Sequence, residues 1–358
     1  MFAREGLEGV VAARTSICLI KGAEGALEYR GYSIHDLANH CGFEEVAYLL
    51  WYGALPSADE LGDFSRLMRA NRILPGRLSR ALASILRELT PIDALCAAVS
   101  IMGADDPDAA DNSPAANVRK AIRLTAKMPA IVGAHHRLAR GLNPLAPDSR
   151  LNHAANFLYM VKGKRPRELE ARALEAAMIL EAEHGLNPST FAARVAAGTL
   201  ADLHSAVVAA LATLKGPLHG GAAAEVIAML HEVGDRSNAA GFGHRIYKGD
   251  DPRAIDLERW CRRLAGNREA RRMLDCAGAI EREVRKRVAI SPNVDFYAAP
   301  LWSMLGFRPA EFAPVFACAR IAGWVAHVTE QHLDNRLIRP EEEYIGPLSR
   351  PFVPIEQR

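Results

Sequence analysis

KGPLHGG, residues 215–221, sets one histidine between a proline and two glycines. An alanine-rich run over 189–214 precedes it, and a second apolar run over 221–233 follows. Both runs read as helix, so the stretch is a turn from helix to helix, in which Gly220 and Gly221 leave space for backbone or ligand to come close. A histidine placed there titrates near neutral pH and needs hydrogen-bond partners if it is buried. Taken alone, His219 is an ordinary capping residue at a bend.

Working outward from this turn, the helical pattern holds almost throughout. Only SICLIKGAEGALEYRGYS (16–33) carries strand signals, two short apolar runs about a glycine-containing turn, which predicts a small β-hairpin. FEEVAYLLWYGALP (43–56) predicts an amphipathic helix ending near Gly53, with Pro56 beyond it. ADELGDFSRLMRAN (58–71) and PGRLSRALASILREL (75–89) read as further helices, and the acidic, proline-containing ADDPDAADNSPAAN (104–117) as a surface loop. Helices are expected over 115–141, 151–162, 166–184, 189–214 and 221–233. Gly241, Gly243 and the charged KGDDPR (248–253) interrupt the pattern, which resumes over 254–265, 267–289 and 309–332, with SPNVDFY (291–297) as another break. The class is all-α, and no repeat period suggests a solenoid. Small residues in 189–214, Gly198 among them, fit a close helix crossing or a subunit interface equally well.

The 358 residues are enough for a large core, in two domains or one with an insertion. A net charge of +2, with 49% hydrophobic and 24% charged residues, is ordinary for a soluble protein and gives no global pointer to nucleic acid. The arginine-rich RWCRRLAGNREARRM (259–273) lacks interleaved aromatics and reads as a solvated helix face, not an RNA patch. Cys18, Cys41, Cys96, Cys261, Cys276 and Cys318 form no CxxC pair, which argues against a disulfide framework or zinc site and fits a reducing compartment. MFAREGLEGVV has no signal-peptide core, and no uncharged apolar stretch is long enough to span a bilayer, so a cytoplasmic location with no membrane partner is expected.

Three helix breaks each offer one titratable group in a small-residue setting: His219, His244 in GFGHRIYKGDDPR, and Asp295 in SPNVDFY. No HExxH, P-loop or complete dinucleotide fingerprint accompanies them, and no GxSxG elbow supports a hydrolase triad. The set suits acid–base chemistry on a carbonyl compound: a carboxylate takes a proton while histidines donate hydrogen bonds to developing oxyanions. Singly, each has a plainer reading. Asp295 could cap the helix that follows, Arg253 and Arg320 could be surface ion-pair partners, and His184 could sit at a helix C-terminus.

Together, KGPLHGGA, GFGHRIYKGDDPRA, SPNVDFYAA and ARIAGWVAHVTEQ…NRLIRPEEEYIGP resemble the citrate synthase family. GLEGVVAARTSI, YRGYSIHDLA, FEEVAYLLWYGALP, AKMPAIVGAHHR, HAANFLYMV and HGLNPSTFAARV resemble it in the same order, so the likeness spans nearly the whole chain. The resemblance implies that His219 hydrogen-bonds the thioester carbonyl of acetyl-CoA, that Asp295 takes the methyl proton, and that His244 polarises the keto group of oxaloacetate. It implies that His184 also contacts oxaloacetate and that Arg253, Arg320 and Arg339 hold its carboxylates, Arg339 reaching in from the partner subunit of a homodimer. Lys248 matches a basic position near the CoA phosphates. No metal or cofactor is implied beyond the CoA thioester substrate.

The implied architecture is a large helical domain (1–218 and 320–358) with a smaller helical domain (219–319) inserted and the site in the cleft between them. The implied reaction condenses acetyl-CoA with oxaloacetate through an enol and hydrolyses citryl-CoA. The alternatives are a 2-methylcitrate synthase using propionyl-CoA and an inactive regulatory paralogue. Arg14, Thr90, Cys96 and Ala223 depart from the family's usual Glu, His, Arg and Asn, which bears on substrate preference and not on the fold.

Overall fold

The computed structural model describes residues 5–7, 9–231 and 240–358. Strand β1 (Cys18–Lys21) pairs antiparallel with β2 (Ala26–Tyr29), and a two-residue β3 (Tyr32–Ser33) extends the expected hairpin into a three-stranded sheet. Fifteen α-helices follow among the described residues. The first seven are α1 (Ile34–His40), α2 (Phe43–Tyr52), α3 (Ala58–Ala70), α4 (Gly76–Ala83), α5 (Pro91–Ala104), α6 (Pro114–Leu138) and α7 (His153–Lys162). The next four are α8 (Glu168–Glu181), α9 (Pro188–Gly198), α10 (Leu203–Leu214) and α11 (Ala222–His231). The last four are α12 (Pro252–Leu264), α13 (Arg268–Val288), α14 (Val294–Leu305) and α15 (Phe312–Leu333). Ser57, Ser113, Asn152, Asn187, Asp202, Asn267 and Asn293 each cap a helix start, their side chains accepting a first-turn N–H that has no partner inside the helix.

The all-α expectation holds, with differences in detail. The single helix expected over 189–214 is two, α9 and α10. Between them Leu200 takes a left-handed conformation (φ 63°), and Asp202 accepts the N–H groups of His204 and Ser205 at 2.9 and 3.0 Å, starting a new helix. Helices α1, α5 and α14 were not anticipated: α1 is only seven residues long, and the many buried apolar residues of α5 and α14 leave little polar face to betray the period. Of the helix expected over 221–233, the last two positions lie outside the described residues. The acidic loop 104–117 is not wholly on the surface: Asp106, its side chain 3% exposed, receives two hydrogen bonds from Arg123.

Helix α15 is the axis of the core. The 25 residues Pro309–Leu333 are long and apolar enough to cross a membrane, yet 89% of the apolar window is buried inside the fold, as in the core helix of a globular protein. It packs against α2, α6, α8, α9 and α10. Its Gly323 N–H donates to the Ala182 carbonyl at 3.0 Å, and a Cβ there would stand only 2.5 Å from the same oxygen. Glycine therefore lets α15 touch the turn that leaves α8. On the other side of this turn, the buried Tyr29 hydroxyl donates to the Glu183 carbonyl at 2.8 Å. The sheet and the core helix thus clamp residues 182–185 between them, while α12 and α14 pack on α8 alongside.

Candidate active site

The three breaks converge because backbone joins two of them. Gly243 N–H donates to the Ser291 carbonyl at 2.9 Å, Asn293 N–H to the Gly241 carbonyl at 2.8 Å, and Phe242 and Pro292 form an antiparallel bridge. The Asn293 side chain completes the seam, donating to the Gly243 carbonyl at 3.0 Å and accepting the Asp295 N–H at 3.1 Å. Asn293, not Asp295, is therefore the cap of α14, and the Asp295 carboxyl is free of that duty. Asp251 ties the start of α12 to the same place: it chelates Arg253 at 2.9 and 2.7 Å and accepts the Val294 N–H at 3.0 Å.

His184, His219, His244, Arg253, Asp295 and Arg320 line one cavity of about 770 Å³. Phe191, Trp302, Phe312 and Phe316 supply apolar wall. Arg253 and Arg320 are each 2% exposed, so neither is a surface ion-pair residue. Arg253 is partly neutralised by Asp251. Arg320 donates its Nε–H to the Glu181 carbonyl at 2.6 Å and lies over the Phe316 ring at 4.5 Å, while its terminal nitrogens hydrogen-bond to no described residue. A guanidinium so placed on a cavity wall suits a carboxylate, which it can grip with two parallel N–H groups.

The turn at 218–221 holds His219 in a way the glycines alone did not suggest. A Cβ on Gly220 would meet the Leu214 carbonyl at 2.3 Å, so this glycine tightens the turn against the end of α10 and does not serve only ligand access. His219 Nε2 lies 2.9 Å from the Ser189 hydroxyl, which also accepts Trp324 Nε1–H at 3.2 Å and stands 2.7 Å from Asn187 Oδ1. Ser189 has one hydrogen for two acceptors. When it goes to His219 Nε2, the ring's proton sits on Nδ1 as a donor.

For His244 the tautomer follows directly. The N–H groups of Ile246 and Tyr247 donate to Nδ1 at 3.0 and 3.3 Å, so the hydrogen of the neutral ring is on Nε2. The rings of His184 and His244 stand edge to face at 5.0 Å, and His184 Nε2 lies 3.1 Å from the Tyr247 hydroxyl.

The electrostatics separate base from donors. Burial pushes the Asp295 carboxyl up to about 6, with Arg253 and Arg320 pulling the other way and Asp251 adding to the rise. Burial, helped by Arg320, brings His219 down to about 4. Burial and Arg253 bring His244 to about 4, and burial with Arg253, Arg320 and His244 holds His184 well below its ordinary value. At neutral pH the carboxyl is ionised and a stronger base than usual, while the three imidazoles are neutral N–H donors.

Two expected residues are not brought in. Lys248 is exposed, its backbone N–H donating to the Gly22 carbonyl at 3.2 Å, and Arg339 lies in the C-terminal segment, its side chain 66% exposed and 3.7 Å from Glu342. The described residues lining the cavity include neither. Sequence reading missed Ser189, Tyr247, Asp251 and Glu183. Ser189 stands at the first position of the helix expected over 189–214, and nothing local tells that it meets a histidine thirty residues on. Among the described residues, no group of three or more His, Cys, Asp or Glu could hold a metal ion.

A family model described as "Citrate synthase, C-terminal domain" matches residues 6–341. Citrate synthase 2 of Bacillus subtilis is 42% identical over 373 residues, covering 100% of both chains. A 2-methylcitrate synthase of Mycobacterium tuberculosis is also 42% identical, over 96% of this chain and 90% of that one. The crystal structure of citrate synthase from Thermotoga maritima superposes with a TM-score of 0.90 at 40% identity, covering 100% of this chain and 99% of that one. A citrate synthase of Thermoplasma acidophilum, solved with carboxymethyl coenzyme A and oxaloacetate, matches with a TM-score of 0.93 at 32% identity, over 99% and 98% of the two chains.

Proposed function

The chain belongs to the citrate synthase family, and from that premise we propose that it condenses acetyl-CoA with oxaloacetate and hydrolyses the resulting thioester to citrate and CoA. One observation carries the reading: a single cavity joins a carboxylate of raised pKa, neutral imidazole donors and two buried guanidiniums. A thioester α-proton is too weak an acid for a free carboxylate to remove at a useful rate, so the enol must be stabilised as it forms. Asp295 takes that proton, and His219, oriented by Ser189, donates to the thioester oxygen. The enol carbon attacks the keto carbon of oxaloacetate, forming the new C–C bond, while His244 Nε2–H stabilises the keto oxygen as it gains charge. Arg253 and Arg320 hold the carboxylates and set the keto carbon in line. Water then cleaves the thioester and releases the CoA thiol.

In the same reading the protein is a cytoplasmic homodimer with no cofactor beyond the substrate's CoA. Arg339 of each copy completes the partner's site, and Lys248 lies toward the CoA phosphates. Residues 219–319 close on the rest of the chain once oxaloacetate is bound, excluding water. A second reading, propionyl-CoA as acyl donor, is favoured by the equally similar 2-methylcitrate synthase, and one methylene alters pocket discrimination only modestly. The test is CoA release in the presence of oxaloacetate, with acetyl-CoA and propionyl-CoA side by side. A higher kcat/KM for acetyl-CoA supports the first reading, a higher value for propionyl-CoA the second, and no release with either refutes both.

A further inference from the structure

Behind the cavity runs a line of polar groups that the chemistry above does not use. Glu183 and His327 are fully buried, Arg194 is 3% exposed, and none of the three lines the cavity. Charges in such a place are costly unless fully partnered. We propose that Arg194 and His327 are positioning residues that, through Glu183, hold the turn presenting His184 to the cavity, an inference that rests on the reading of His184 as a group contacting oxaloacetate.

The hydrogens can be followed link by link. A guanidinium only donates, so His327 Nδ1, 3.0 Å from Arg194 Nε, accepts. An imidazole that accepts at Nδ1 carries its hydrogen on Nε2, and Nε2 is 2.9 Å from Glu183 Oε1. That same carboxylate oxygen takes the Gly185 N–H at 2.5 Å. Tyr29 secures the turn on the near side of His184, accepting the Glu183 N–H at 3.2 Å and donating to the Glu183 carbonyl at 2.8 Å. The backbone on both sides of His184 is thus pinned, and its ring reaches the Tyr247 hydroxyl at 3.1 Å.

The far end of the line is anchored too. Arg194 donates to Gln331 Oε1 at 3.1 Å and pairs with Glu330, whose carboxylate takes the Ser16 N–H at 2.9 Å and the Ser16 hydroxyl at 3.2 Å. Helix α9, helix α15 and the segment before β1 therefore meet on one polar chain that ends at the Glu183 carboxylate, next to His184. The carboxylate stays ionised within it: burial pushes the Glu183 pKa up, but His327, Arg320 and the Gly185 N–H outweigh burial and leave it below the ordinary value.

The test is steady-state kinetics of the purified full-length chain in the CoA-release assay, on His184→Ala, His327→Gln, His327→Asn and the double variant His184→Ala/His327→Asn. Glutamine sets an amide N–H where Nε2 stands and so keeps the donor to Glu183, whereas asparagine keeps an acceptor near Nδ1 for Arg194 but is too short to reach Glu183. His327→Asn is expected to raise KM for oxaloacetate roughly 10- to 100-fold, leaving KM for the acyl-CoA within about two-fold. His327→Gln should recover most of the loss, and His327→Asn should add nothing in the His184→Ala background. Equal KM for oxaloacetate in the Asn and Gln variants, or additive effects in the double variant, overturns the positioning role while leaving His184 as read. A His184→Ala enzyme with unchanged KM for oxaloacetate overturns the reading of His184 and the inference with it.

Discussion

The cavity wall and the C-terminal segment each carry an arginine proposed to hold a substrate carboxylate, yet they are built in opposite ways. Arg320 is 2% exposed, its Nε anchored on Glu181 and its plane set against Phe316. Arg339 is two-thirds exposed beside Glu342, in a stretch where Ile345, Leu348 and Phe352 stand 93%, 78% and 83% exposed. The contrast teaches that a motif match proposes which residues belong to a site, while the fold of one chain says which of them it can place unaided.

The largest effect belongs to the part complete within one chain. Asp295→Asn should lower kcat by at least about 1,000-fold, since a neutral amide cannot take the proton. The same variant should melt no lower than the parent, and higher by roughly 1–3 °C. A carboxyl whose folded pKa is raised weakens the fold above that pKa, where it is ionised, and the amide removes this cost. Near-normal turnover would end the proposed mechanism.

The contrast itself breaks or holds on Arg339. Arg339→Ala should lose on the order of 100-fold in kcat/KM, as a carboxylate in a closed cleft loses its partner, and His244→Ala should be comparably impaired. Co-expression of the two should restore up to about a quarter of parental activity, carried by heterodimers with one intact site. A purified heterodimer no more active than either parent would show that Arg339 acts within its own chain or not at all.

Gly323→Ala probes the clamp on the 182–185 turn. Its Cβ would stand 2.5 Å from the Ala182 carbonyl and closer still to Glu183 Oε2, so a loss of roughly 3 kcal/mol of stability is expected. A thermal melt within a degree of the parent would mean that the contact yields easily.

The mildest test is the acid limb of kcat/KM. It should follow Asp295 with an apparent pKa near 6 and fall about ten-fold per unit below it, because the base must be ionised. His219 and His244, held near 4, stay neutral across that window and add no second break there. A plateau extending unchanged to pH 5 would contradict the assignment.

What the sequence disclosed follows from where each signal resides. His219, His244 and Asp295 stood at helix breaks flanked by glycine, proline or asparagine, and a break is legible locally; all three line the cavity. Helices α5 and α14 hid because burial on most sides erases the polar stripe that periodicity needs. Ser189, Glu183 and Asp251 hid for another reason. Their partners lie 30, 144 and 43 positions away at His219, His327 and Val294, and only folding sets those pairs together.

The seam between 241–243 and 291–293 has a consequence for how this protein can diverge. Two of its ties are main-chain hydrogen bonds, and a third comes from the Asn293 side chain to a main-chain carbonyl. Gly241 and Gly243 sit at φ 80° and 76°, and a Cβ on Gly241 would stand 2.7 Å from Val226 Cγ2, so Phe242 alone of the three is open to ready replacement. Inserting or deleting a single residue between Gly243 and His244 would shift the histidine by about 3.3 Å against Asp295. Drift along 241–243 should therefore be narrow in residue type as well as in length, and a library of single-codon insertions across 240–250 should be emptied of active members most sharply next to His244.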